Sequence, residues 1–235
     1  MKLRLNIIQL SLLSFLFLLN VNLSSQENQK VFEEIIVTAE KRDESLQTIS
    51  QAVTAITESE IDDKNITSFV DLTSIVPGVT VAKNEGYKTV ISIRGVGNET
   101  NQNAIAAPSV AYHMDGVFIA SPFSLQTDFV DIERIEVLRG PQGTLFGQNS
   151  TGGAINVISK KPSTSAFSSN ASMTIGDYNL RKVSSSTNFP ISDSVATKFT
   201  FTSTERDGFS KNVVTGQDLD DASNISLRSD WIFEL

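Results

Sequence analysis

The chain has 235 residues, a formal charge of −8, one histidine and no cysteine. So acidic a balance excludes a protein that binds by neutralising nucleic-acid phosphates with a basic patch. The lack of cysteine excludes a disulfide-stapled scaffold and an acylated N-terminal cysteine.

Residues 1–25 read as an export signal. Lys2 and Arg4 give a positive start, Leu5 to Leu19 is rich in Leu, Ile and Phe, and Val21 to Ser25 ends in small polar residues, with cleavage expected near Ser25. The apolar run is short of the ~20 residues a spanning helix needs, and Asn6 and Gln9 interrupt it. Without the leader, 17 basic face 27 acidic groups.

Residues 26–44 are expected to be an N-terminal segment whose one β-prone patch is Glu33-Glu34-Ile35-Ile36-Val37-Thr38-Ala39, with nothing nearby to pair with. Two readings fit: a strand donated to a partner's sheet edge, or the first strand of the following domain.

Residues 45–162 read as one α+β domain. Thr57-Glu58-Ser59-Glu60 is a capping box that opens a short helix, and Ser68-Phe69-Val70-Asp71 opens another whose Phe69, Leu72, Ile75 and Val76 share a face until Pro77-Gly78 stops it. Thr89 to Gly95 alternates as a strand, and an Asn- and Gln-rich loop runs from Gly97 to Pro108. Asp115-Gly116, flanked by Val110 to Met114 and Val117 to Ile119, is the best hairpin signal in the chain. A metal site at His113 and Asp115 lacks the three or four ligands such sites use.

The strand Ile132 to Arg139 carries Glu133 and Arg139 on one face and Arg134 and Glu136 on the other. Ions buried without partners are costly, so the strand requires polar neighbours on both sides. Gly140, Gly143, Gly147, Gly152 and Gly153 then crowd the following turn, which predicts tight turns pressed against another surface. A phosphate cradle is disfavoured, since no Gly-Lys-Ser/Thr ends the run.

From residue 163 the pattern becomes a long dyad. Ala171, Met173 and Ile175 alternate with Asn170, Ser172 and Thr174, and Val195, Thr197, Phe199 and Phe201 with Ala196, Lys198, Thr200 and Thr202. Val183 to Phe189 and Ile225 to Phe233 give two more such segments. This is the outside-apolar, inside-polar code of a transmembrane barrel, with Trp231 and Phe233 suited to an interfacial girdle. Soluble sandwiches share the alternation.

Arg139-Gly140-Pro141-Gln142-Gly143-Thr144-Leu145-Phe146-Gly147 and Thr151-Gly152-Gly153-Ala154-Ile155-Asn156-Val157-Ile158 resemble the end of the plug domain of TonB-dependent outer-membrane receptors. The resemblance implies an α+β plug domain followed by the start of an antiparallel transmembrane β-barrel. Arg94-Gly95, Asp115-Gly116 and the turn at Val76 to Val79 fall where that family has them. Glu34, Ile35, Ile36, Val37, Thr38 and Ala39 match its TonB box, which implies binding by TonB, energised by ExbB-ExbD, in the periplasm of a Gram-negative bacterium. By the same resemblance Arg94, Arg134 and Arg139, with Glu133 and Glu136, are latches between plug and barrel wall, with partners expected outside this chain. Gly95, Asp115, Gly116, Gly140, Pro141, Gly143, Gly147, Gly152 and Gly153 are structural turns. Apex candidates for ligand binding are Asn98, Asn101, Gln102, Asn103, Ser121 and Gln126, unless these loops are merely solvated.

The implied function is gated import of a scarce nutrient across the outer membrane. A ferric siderophore is the default cargo, with cobalamin, thiamin or a glycan behind it. No catalytic residue, cofactor or metal is expected. A soluble exported enzyme or adhesin is the rival class, but no nucleophile and base pattern supports it. Four visible strands after residue 162 fall short of the ~22 of plugged transporters and the ~8 of the smallest barrels, so residues 163–235 are expected to be the first strands of a truncated barrel.

Overall fold

The computed structural model describes residues 35–38, 42, 44–84, 88–97, 108–121, 124–125 and 128–234. The expected leader lies outside them. In chain order, β1 (Ile36–Val37) pairs antiparallel with β2 (Glu44–Ser45). Strand β3 (Val53–Thr57) feeds helix α1 (Glu58–Asp63) through the expected capping box, in which Glu60 N–H donates to Thr57 Oγ1 and Glu60 Oε2 accepts from Thr57 N–H. A 3-10 turn (Phe69–Asp71) and helix α2 (Leu72–Ile75) follow. Asp71 caps this pair from within: its Oδ2 accepts from the N–H groups of Thr67 and Ser68, both at 2.8 Å.

Strands β4 (Val79–Asn84), β5 (Lys88–Ile93) and β6 (Val96–Gly97) form a three-stranded antiparallel sheet. Strands β7 (Val110–Met114), β8 (Val117–Phe118), β9 (Ile132–Arg139) and β10 (Gly153–Ser159) join β3 in a five-stranded sheet ordered β3-β9-β10-β7-β8, in which only β10 and β7 run parallel. The glycine-rich connection from β9 to β10 contains a single helical turn, α3 (Gly143–Phe146), where tight turns alone were expected.

The two faces of this sheet bury different things. On one, Ile135, Val137, Ile155, Val157 and Tyr112 pack against Ile61, Phe69, Leu72 and Val76 of the helical layer and Val79, Val81, Ile91 and Ile93 of the small sheet. Phe69 is the hub, edge-on to Tyr112 at 4.7 Å and to Phe129 at 4.6 Å between ring centroids. Each such fully buried side chain contributes roughly 1.5–3 kcal/mol. The other face is narrower, with Ala55, Ala111, Ala154 and Leu138 covered by Val37 and Phe146.

A bulge between Ile158 and Ser159 sets Ser159 opposite Ile132 and leaves Glu133 out of the ladder. Ile132 therefore joins Ile135 and Val137 in the larger core, which corrects the strict alternation expected for β9.

Strands β11 (Ser168–Gly176), β12 (Leu180–Ser192), β13 (Val195–Arg206) and β16 (Ala222–Phe233) form an antiparallel sheet in that order, with the small ribbon β14 (Ser210–Lys211) and β15 (Asp218–Leu219) between β13 and β16. Lys198, Thr200, Thr202 and Thr204 are buried on the inward side of β13, whereas Phe199, Ile225, Leu227 and Trp231 are exposed on the outer side. No helix among the described residues is long and apolar enough to cross a membrane, a statement silent on strands.

Gly153 has φ +147°, and a Cβ there would lie 2.3 Å from the Leu138 carbonyl oxygen. Gly153→Ala is expected to strain the β9–β10 ladder by roughly 1–3 kcal/mol, read as faster proteolysis of the α+β domain in the intact protein.

Candidate functional site

The β-prone patch does find a partner within the chain. Ile36 lies opposite Ser45 and Val37 opposite Glu44, and the Leu46 N–H donates to the Ile35 carbonyl at 2.9 Å. Val37 is fully buried in the narrow core beside Leu138 and Phe146, whereas Ile36 on the opposite side is 52% exposed. Glu34 and Ala39 lie outside the described residues.

Immediately beyond β1, Thr38 reaches the middle of the large sheet. Its N–H donates to Glu136 Oε1 at 2.7 Å, and its hydroxyl lies 3.2 and 3.3 Å from the two carboxylate oxygens. Arg134 Nε donates to the same Oε1 at 2.9 Å and Asn156 Nδ2 to Oε2 at 3.2 Å. Glu136 has no solvent exposure. Register explains the assembly: Ala55, Glu136, Asn156 and His113 are consecutive partners across β3, β9, β10 and β7, so one polar row crosses an otherwise apolar face. His113 lies between the rings of Phe118 and Phe146, at 5.1 to 5.5 Å.

The predicted turns occupy special backbone. Arg94 and Gly95 (φ 53° and 78°) link β5 to β6, and Asp115 and Gly116 (φ 50° and 82°) link β7 to β8. Asp115 also closes the end of β10, accepting from the N–H and hydroxyl of Ser159, both at 2.8 Å. Gly140 and Gly147 have positive φ, the Gly140 N–H donates to the Gly152 carbonyl, Pro141 is exposed, and Gly143 starts α3. Gly152 is a close approach, since a Cβ there would sit 2.8 Å from the Val96 carbonyl oxygen. Burial, reinforced by Asp115, pushes the Tyr112 phenol well above its ordinary range and keeps it protonated.

A second charged cluster joins the α+β domain to the four-stranded sheet. Asp131 Oδ2 is 3.0 Å from Lys198 Nζ and 3.8 Å from Arg228, all three largely buried. Asp128 Oδ2 accepts from the Thr204 hydroxyl at 2.6 Å and lies 3.3 Å from Lys182 Nζ. Lys198 also donates to the Lys160 carbonyl at 3.0 Å. A polar cleft of about 260 Å³ runs beside this cluster, bounded by Asp62, Lys160 and Lys182 with Ser172 and Ser184.

A sequence profile of the TonB-dependent Receptor Plug Domain matches residues 45–154. The chain is 32% identical over 144 residues to the pesticin receptor of Yersinia pestis, covering 59% of this chain and 20% of that protein. It is 25% identical over 182 residues to the vitamin B12 transporter BtuB of Vibrio vulnificus, covering 77% of this chain and 29% of that one. Among solved structures, the ferric yersiniabactin uptake receptor FyuA from Yersinia pestis superposes with a TM-score of 0.64 at 26% identity, over 77% of this chain and 28% of that one. Residues 45–154 are a TonB-dependent receptor plug domain. It spans between a fifth and a third of the length of these relatives, and its four wall strands do not close a barrel.

Within this plug, the latch residues sort differently from the expectation. Arg134 finds its partners inside the plug, at Glu136 (2.9 Å), at Glu133 and, at 3.4 Å, at the Thr38 hydroxyl, which corrects the expectation of partners on a wall outside this chain. The physical reason is the pleat: positions 134 and 136 point to the face covered by residues 35–38. Arg139 donates to Thr54, and its Nε is buried without an acceptor. Arg94 is exposed and forms no ion pair among the described residues.

The ion pairs that do join plug to wall use residues the sequence reading passed over, Asp128 and Asp131. A signal for them existed. Lys182, Lys198 and Arg228 occupy inward positions among Ser and Thr, and cations there call for carboxylates on whatever fills the lumen. Of the apex candidates, Ser121 is half-buried and its carbonyl accepts from the Ser124 N–H, while Asn98, Asn101, Gln102, Asn103 and Gln126 lie outside the described residues.

Asp131→Ala leaves Lys198 buried without its carboxylate partner. The expected loss of plug seating is about 3–5 kcal/mol, checked in the full-length receptor as plug release at lower urea concentration.

Proposed function

We propose that this chain supplies the plug and first wall strands of a Gram-negative outer-membrane receptor that imports an iron chelate, driven by TonB through residues 34–39. The observation that carries this reading is the state of residues 35–38. They form an extended, β-branched stretch paired over only two strand residues, with one side chain buried and the next exposed. A strand held so briefly is easily exchanged for a partner's sheet edge, where main-chain bonds give affinity and alternate side chains give specificity.

The cargo assignment rests on relatives: proteins similar to this chain include a ferric yersiniabactin uptake receptor and an iron-regulated outer membrane virulence protein of Vibrio cholerae. Similarity to a vitamin B12 transporter makes cobalamin the second reading. In either case ligand and TonB favour the same plug state, and their binding is reciprocally coupled. ExbB-ExbD supplies the energy to TonB. The outward apolar side chains of the four strands face lipid, and Trp231 and Phe233, stacked at 6.3 Å, belong to its interfacial girdle. The exposed Arg94 is the plug group offered to wall carboxylates outside this chain.

The test is uptake by cells expressing the full-length receptor, supplied separately with labelled ferric siderophores and labelled cobalamin. Iron accumulation that requires TonB is the expected result, and accumulation equal in cells lacking TonB refutes the reading. Ile36→Pro removes a main-chain donor from the coupling strand. It should reduce uptake to the level of cells without TonB while surface binding of the cargo persists.

A further inference from the structure

The Glu136 cluster is separate from the ion pairs that seat the plug on the wall, and among the described residues Thr38 links it to the N-terminal segment. Strand geometry gives that link a meaning. In an antiparallel pair, alternate residues turn both main-chain groups towards the partner and the residues between turn them away. Ile35 bonds to Leu46, so Ile35 and Val37 face β2, while Ile36 and Thr38 face the opposite edge. The Thr38 N–H on that second edge is the group that Glu136 takes, at 2.7 Å. Residues 35–38 thus have one edge closed by β2 and the other blocked at Thr38 by a carboxylate.

We propose that Glu136 is the positioning residue that keeps residues 35–38 stowed by occupying the main-chain donor an incoming strand needs. This rests on the reading of those residues as the coupling segment. Glu136 and a partner strand compete for one N–H, so the segment is delivered only after the carboxylate has released Thr38. Arg134 and Asn156 make the hold strong, because their donors fix the aim of the Glu136 carboxylate while it is wholly cut off from water. A charged acceptor binds an N–H more tightly than a neutral amide does, so resting receptor keeps its segment and an added free-energy source is required to take it.

The experiment uses the full-length receptor in lipid vesicles, with a nitroxide on Ile36→Cys, an exposed site, and a control nitroxide on Lys83→Cys in β4. Glu136→Gln preserves shape and an acceptor but removes the charge. The expected result is a larger mobile fraction at position 36, none at position 83, and about tenfold tighter capture of the isolated TonB C-terminal domain by cargo-free receptor. Unchanged mobility at position 36 overturns the proposal. Equal loosening at positions 36 and 83 also overturns it, since Glu136 would then be a general structural residue.

A disulfide between Ile36→Cys and Ser45→Cys provides the second arm. These residues form a close, non-hydrogen-bonded pair, with Cα atoms about 4.5 Å apart, within disulfide reach. The closed bridge should block capture in the Glu136→Gln background and reduction should restore it. Capture unaffected by the bridge, with mobility at position 36 still raised by Glu136→Gln, leaves the clamp standing and refutes the coupling role of residues 35–38.

Discussion

A carboxylate with no exposure in the centre of a sheet is the constraint around which one side of this plug is arranged. Glu136 requires donors from every direction water would have supplied them. They come from Arg134 two residues earlier on the same strand, from Asn156 directly across β10, and from Thr38, nearly a hundred residues away in sequence. Small neighbours, Ala55 in the same row and Ala111 and Ala154 in the next, leave room for the chain carrying Thr38 to lie flat on the sheet. The opposite face has no such demand and is filled with branched aliphatic and aromatic side chains.

Strand β9 connects two kinds of electrostatic contact. Just before its first residue, Asp131 is bound to the wall cations, and in its middle Glu136 is bound to the N-terminal segment. The bulge opposite Ser159 separates them, and it turns Ile132 into the large core so that Asp131 is free to face the lumen side. A buried ion pair adds little net stability against an apolar isostere, yet removing one member is costly. Both clusters therefore fix geometry more than they add to folding energy, and the branched apolar residues between α1, α2 and the sheet supply most of the cohesion.

Much of this was legible in the sequence for identifiable reasons. The capping box at Thr57 to Glu60, the Asp115-Gly116 hairpin and the inward Thr and Lys of β13 are local signals, and local signals fix local structure. The ionised residues of β9 announced a polar setting, but their partners were not readable. Thr38 meets Glu136 only through tertiary folding, and the bulge that re-aims Ile132 has no sequence mark of its own. The β-prone patch looked unpartnered because Glu44 and Ser45 have no strand propensity, and their pairing is imposed by the burial of Val37. The plug carboxylates Asp128 and Asp131 carry no signal of their own, since what calls for them is the row of inward cations on the wall strands.

The hairpin β1–β2 also determines how this segment answers a mechanical load. Its two outer ends, before Ile36 and after Ser45, leave from the same side, so tension on the N-terminal end opens the pair like a zipper, one rung after another. Such a geometry resists weakly, because each bond bears the load alone instead of sharing it in shear. Thr38 comes after the last rung, and the force needed to free the segment is set at that single attachment and not by the strand as a whole.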